Sequence, residues 1–198
     1  IKNNLQGVAG LLMQTAGKHP AVKDILADAV GQVQAIAQVY GLQMGRAGPL
    51  GLAGLLRAVA SSLARLAGRS IEVEVQGEVP HELPEIESIP VALTLNELLS
   101  YALRHGSGGD IRCTLAAQGE AVLVRIAGRG RLPPGFDLQQ RRSAVAGLGL
   151  VRALLPRRSA TFTLREEGDE VVAQIELRPP SVQGPAVAVG EGAVAVDR

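Results

Sequence analysis

The sequence predicts an α+β protein: a helical hairpin that forms a dimeric four-helix bundle, followed by an α/β sandwich. Three observations carry this. Residues 1–46 show apolar spacing of helical period only. A break with three glycines and Pro49 follows at Gly45–Gly51. Beyond it, helical and alternating patterns take turns in the order helix, strand, helix, two strands, helix, two strands, the order of a mixed sheet covered by helices on one face.

In the first helix, Leu5, Val8, Ala9, Leu12 and Ala16 recur at helical spacing, and Gly17-Lys18-His19-Pro20 ends it. In the second, Val22, Leu26, Ala29, Val33, Ile36 and Tyr40 are spaced 4-3-4-3-4, a heptad seam expected to be core. Ile25, Val30, Ala37 and Met44 add a second flank. A helix apolar on two flanks cannot be covered by one short partner helix, so a second copy of the chain is the expected partner. Leu52, Leu55, Leu56, Val59, Leu63 and Leu66 predict a helix ending at Gly68, and Ile71–Val75 alternates as a half-buried strand. A proline-punctuated loop is expected at 76–89, then a helix opened by Pro90 and running to about His105. Strands follow at 110–116 and 121–127, a loop at Gly128–Gly135, a helix at about 143–155 and a hairpin at 160–166 and 170–177. Residues 1–46, 50–178 and 179–198 thus read as hairpin, α/β domain and a flexible tail without its own core.

Composition narrows the function. Twenty Lys and Arg against nineteen Asp and Glu leave a net charge of +1, and aromatic residues make up 2% of the chain with no Trp. Neither a basic nucleic-acid surface nor a base-stacking platform is available. One cysteine, Cys113, excludes an internal disulfide and a multi-cysteine metal site, and three scattered histidines make no metal-binding spacing, so no metal is expected. No apolar run reaches the ~18 residues of a membrane span. A reducing cytoplasm is the expected compartment.

Four short motifs in consistent order resemble one family. Ile1-Lys2-Asn3-Asn4-Leu5-Gln6 is similar to the phosphoacceptor box H-R-[VI]-K-N-N-L-Q of a histidine-kinase subfamily, and Val33–Val39 to the second helix of the same dimerisation hairpin. Asn96–His105 resembles the N-box N-E-L-x-x-N-A-x-K-H, and Gly147–Arg152 the glycine box G-L-x-L-V-R, of the histidine-kinase ATPase (Bergerat) fold. The resemblance spans roughly residues 1–178. It implies that the acceptor histidine lies two positions before Ile1, that Asn3 sits one helical turn beyond it, and that Glu97 occupies the general-base position. It also implies a nucleotide site lined by Gly130, Gly147 and Gly149.

The departures change what is expected of that site. The magnesium-binding asparagine of the family falls on Tyr101, and a neutral phenol is a bulky, poor magnesium ligand. The family's D-x-G-x-G box, whose aspartate bonds adenine, corresponds to Ala127–Pro133, which holds no carboxylate. Losing one charge-assisted hydrogen bond costs about 1.5–3 kcal/mol. Tyr101 is therefore read as core filling a lost nucleotide site, Gly128–Gly135 as a surface loop, Cys113 as buried and inert, and His105 as a helix-end residue suited to the dipole. For Glu97 an ordinary exposed helix carboxylate competes with the catalytic role.

The expected function is two-component signalling by a dimeric histidine phosphotransferase or pseudokinase, with no cofactor, exchanging phosphoryl groups with a response-regulator receiver domain. That partner is expected to dock on Leu5, Val8, Leu42 and Met44, at the start of the first helix and the end of the second. An active sensor kinase using ATP and magnesium, and a non-enzymatic dimeric scaffold, are the alternatives.

Overall fold

The computed structural model describes residues 1–44, 48–136 and 147–184. The hairpin consists of α1 (Lys2–Lys18) and α2 (Lys23–Leu42), joined by a short 3-10 turn at Pro20–Val22. Then come β1 (Leu50–Gly51), α3 (Leu52–Ala67), β2 (Ile71–Gln76), β3 (Glu82–Leu83), α4 (Glu85–His105), β4 (Ile111–Gln118), β5 (Ala121–Arg129), α5 (Leu148–Leu154), β6 (Ala160–Glu167) and β7 (Glu170–Leu177).

Five strands form one sheet in the order β2-β4-β5-β7-β6, with only β2 and β4 parallel. That parallel pair needs a crossover, and α4 supplies it. Period-two alternation sends Ile111, Cys113 and Leu115 of β4, Val122, Val124 and Ile126 of β5, and Ala173, Ile175 and Leu177 of β7 into one buried layer. The opposite face carries Glu72, Glu74, Arg112 and Arg125, with cross-strand pairs Arg112–Glu170 at 2.6 Å and Arg125–Glu167 at 2.5 Å. The expected mixed sheet with helices on one face is what forms. Burial pushes the Cys113 thiol up to about 12, so it remains a protonated apolar filler.

Helix α4 is the axis of the domain. It touches α2, α3, α5 and β5, and residues all round it are buried, among them Val91, Ala92, Leu95, Leu98 and Leu99. It begins at Glu85, five residues before the expected start, so Pro90 lies inside it. The missing Pro90 N–H frees the carbonyl of Ile86, an exposed residue, where water can satisfy it. The stretch read as a loop also contains β3, which pairs with β1 in a small two-stranded sheet.

The hairpin packs on the α/β domain instead of standing apart from it. Ala35 and Val39 of α2 join the domain core. Val30 and Ala37, on another flank, are also buried, and the Lys2 side chain of α1 lies within 3.1 Å of where a Cβ on Gly41 would be. The heptad seam expected as core is different: Leu26, Ala29, Val33, Ile36 and Tyr40 are only half-buried and Val22 is exposed. Two faces of α2 are used within the chain, and the seam is the third.

The tail begins later than expected. Residues 179–184 return to the domain, where Val182 is fully buried and Gln183 and Glu82 exchange two backbone hydrogen bonds of 2.8 and 2.9 Å. A lone valine in a tail shows no periodicity, so the sequence concealed this strap. Residues 185–198, and 143–146 of the expected fifth helix, lie outside the described residues. Val182→Asp places a charge in the core and is expected to lower unfolding stability by about 3 kcal/mol or more. Urea denaturation monitored by circular dichroism measures it; an unchanged midpoint would show that the strap is not part of the fold.

Candidate functional site

The N-box residues lie along α4, and the structure sends them to two neighbouring places. Glu97 faces the hairpin. It is 5% exposed, so the expectation of an ordinary exposed carboxylate is corrected. Its Oε1 accepts hydrogen bonds from Gln32 Nε2 of α2 at 3.0 Å and from Asn96 Nδ2 at 3.4 Å. A buried carboxylate without donors is expensive, and these two amides compensate it. Helix α2 adds three more contacts to the domain. Asp28 pairs with Arg104, Gly31 receives the Asn96 side chain, and Gln34 Oε1 accepts from Ser62 Oγ at 3.1 Å. Asp28, Gly31 and Gln32 are spaced as one face of α2, toward α4, and Gln34 reaches α3 from another side.

Gly147 stands against the same carboxylate. Its φ is +90°, and a Cβ there would collide with Glu97 Oε2. As the N-cap of α5 its carbonyl accepts from Leu150 N at 3.1 Å and Val151 N at 3.2 Å. Gly149, two residues on, has open space around it and no positive φ. The two glycines expected to line phosphates thus differ: Gly147 is demanded by Glu97 and the turn, Gly149 by nothing among the described residues.

Tyr101 points to the second place. It is 3% exposed, its ring lies 4.5 Å from that of His105, and burial raises its phenol above the usual range. The phenol oxygen is buried and has no hydrogen-bond partner among the described residues. Around it stand Leu98, Ala102, Ile126, Gly128, Gly130, Leu164, Val171 and Ala173, leaving a cavity of about 10 Å³. That is about the room one water needs. Gly130 does not face a ligand: a Cβ there would lie 3.0 Å from the His105 carbonyl, and its N–H donates to Asp169 O at 3.0 Å. Setting D-x-G-x-G on Gly128 and Gly130 puts the aspartate position on Ile126, a buried apolar side chain in the wall of that cavity. The stretch Ala127–Pro133, expected to correspond to this box, begins one residue after that position. The glycine spacing itself was the signal that would have found Ile126. Burial, and then the nearby Arg104 charge, holds the His105 imidazole below its usual range. Arg69 braces this end of α4, donating to Leu103 O at 2.5 Å and Gly109 O at 3.0 Å.

The hairpin residues separate too. Asn3 and Val8 lie exposed on α1, Leu5 is half-buried, and Met44 is exposed just past α2. Leu42 is partly buried and packs against the domain core. Among the described residues no group of three metal-ligating side chains converges, and no helix is long and apolar enough to cross a membrane.

No protein-family profile matches the sequence, and no curated protein matches it. Solved structures do. The histidine kinase domain of the Erythrobacter litoralis blue-light activated histidine kinase EL346 superposes with a TM-score of 0.64 at 21% identity, covering 89% of this chain and 86% of that one. The chain has the histidine-kinase fold. The Acinetobacter baumannii histidine kinase AdeS matches with a TM-score of 0.57 at 14% identity, over 78% and 79% of the two chains. Full-length ShkA in complex with AMPPNP gives 0.57 at 20% identity, over 93% of this chain and 43% of that one.

Within this fold the two glycines give a direct contrast. Gly147→Ala must adopt a positive φ and displace Glu97, and is expected to cost about 2–4 kcal/mol. Gly149→Ala fills open space in a helix and is expected to be neutral or stabilising by up to ~1 kcal/mol. Equal effects in urea denaturation would contradict the geometry around Glu97.

Proposed function

We propose that this chain is a cytoplasmic two-component signalling module: a dimeric histidine phosphotransferase or pseudokinase that passes phosphoryl groups to or from a response-regulator receiver domain. The observation that supports it most is the state of the nucleotide position. Tyr101 stands where the family's magnesium-binding asparagine would be, Ile126 where its adenine-binding aspartate would be, and the space between holds about 10 Å³. Neither residue supplies the ligand that ATP and magnesium require, so no step is assigned to a nucleotide. The remaining N-box carboxylate, Glu97, is engaged by Gln32 and Asn96 inside the fold.

The hairpin keeps what phosphotransfer between proteins needs. On its third face the seam from Leu26 to Tyr40 is half-buried and Val22 is exposed, and Leu11 and Ile25 of the hairpin are exposed as well. Covering an apolar side chain contributes about 1.5–3 kcal/mol, and a second copy of the chain would cover several at once. Asn3 lies on the turn after the expected acceptor histidine. Leu5, Val8 and Met44 flank it as the receiver-docking surface, and Leu42 supports that surface from the core side.

The test uses the full-length protein. Titrated with Mg-ATP in a calorimeter, it is expected to give no saturable heat below about 1 mM, the weak end of the affinity scale. Tyr101→Asn alone is expected to leave this unchanged, because Ile126 still stands in the adenine-recognition position. A phosphorylated receiver domain is expected to lose its label to the full-length protein. Micromolar Mg-ATP binding would establish the sensor-kinase reading instead. Receiver binding without any label transfer would establish the scaffold.

A further inference from the structure

At the turn end of the hairpin, α2, α3 and α4 enclose a cleft of about 480 Å³ that belongs neither to the nucleotide position nor to the receiver-docking surface. Its volume falls within the range of small-molecule sites, and it lies between helices at the junction of hairpin and domain, a common place for one. Leu63 and Leu66 of α3, Ala27 of α2 and Leu103 of α4 make it apolar, while Asp24 and Asp28 stand one turn apart on the α2 side.

The cleft carries both signs and is negative on balance, with Arg69 offsetting part of the charge at the α4 end through Leu103 O. Helices α3 and α4 both end there, at Ala67 and His105, and each brings the partial negative charge of a helix C-terminus. The two aspartates add to it. Against them stands Arg104, which is paired with Asp28 across the cleft. His105 also lines the space. Asp24 has no ion pair among the described residues. It lies in the first turn of α2, whose dipole offsets part of its charge without supplying a hydrogen-bonding cation.

We propose that this cleft is a binding site for an organic cation with an apolar body, its ammonium or guanidinium group held at Asp24 and its hydrocarbon part lying on Leu63, Leu66 and Leu103. Occupancy adds contacts on both sides of the junction that the Asp28–Arg104 pair already spans. It therefore favours the hairpin in its docked position. The proposal is independent of the phosphotransfer reading: the site needs neither the acceptor histidine nor a receiver domain.

The experiment compares three probes of one shape on the 198-residue chain: 4-phenylbutylamine, 4-phenylbutanol and 4-phenylbutanoate. Each is titrated while methyl and amide NMR shifts are followed. The amine is expected to saturate with a Kd of about 1 mM or tighter and to shift Leu63, Leu66 and Leu103. The alcohol is expected to bind at least about fivefold more weakly, and the carboxylate not measurably. Asp24→Asn, an exposed substitution that leaves the fold intact, is expected to weaken the amine about fivefold and leave the alcohol unchanged. Equal binding of amine and alcohol, an amine affinity unaltered by Asp24→Asn, shifts that map elsewhere, or no saturation would each overturn the proposal.

Discussion

A carboxylate removed from water must find donors, and in this protein one such carboxylate organises three elements. Glu97 lies in the middle of α4, is nearly inaccessible, and is met by Gln32 from the hairpin and by its neighbour Asn96. Its second oxygen leaves no room for a side chain at Gly147, which sets the residue type at the entrance to α5. Withdraw the Gln32 amide and the charge keeps only a single long hydrogen bond. The docking of α2 on α4 is therefore tied to one buried carboxyl group. Asp28 with Arg104 extends that interface along the same helix face, and Gln34 with Ser62 adds a contact to α3 from another side.

The second organising fact is that the space beside α4 has been taken into the core. Tyr101, Ile126, Leu164, Val171 and Ala173 close around it, and Gly130 packs on the end of α4. The scaffold is shared with solved histidine kinases, one of them in complex with AMPPNP. The Tyr101 hydroxyl stands unpaired in an apolar wall among the described residues, a costly arrangement.

Much of this was legible in the sequence, and the failures have particular causes. The sheet and its helices followed from alternation and helical spacing, which is why β2, β4, β5, β6 and β7 fall close to their expected places. Proline suits a first turn, which makes Pro90 a helix start by local rules; tertiary packing of α4 outweighs one lost hydrogen bond and sets the start at Glu85. The seam of α2 was read as core because periodicity reports which residues are apolar, not which of two apolar flanks meets its own chain. At the site, Tyr101 was legible as filler from its size and position. The burial of Glu97 was not, since its donor Gln32 lies 65 residues away and nothing local marks the pair. The Val182 strap was invisible for the same reason.

The coupling between Gln32 and Glu97 tests this account most directly. In a double-mutant cycle, Gln32→Ala, Glu97→Ala and the double variant are unfolded in urea and their stabilities compared. If the hydrogen bond ties the hairpin to the domain, the two single losses will sum to about 1 kcal/mol or more beyond the loss in the double variant, because the second substitution removes a group already left without its partner. Losses that add to within about 0.5 kcal/mol would contradict it, and would leave Glu97 a buried charge whose placement owes nothing to α2.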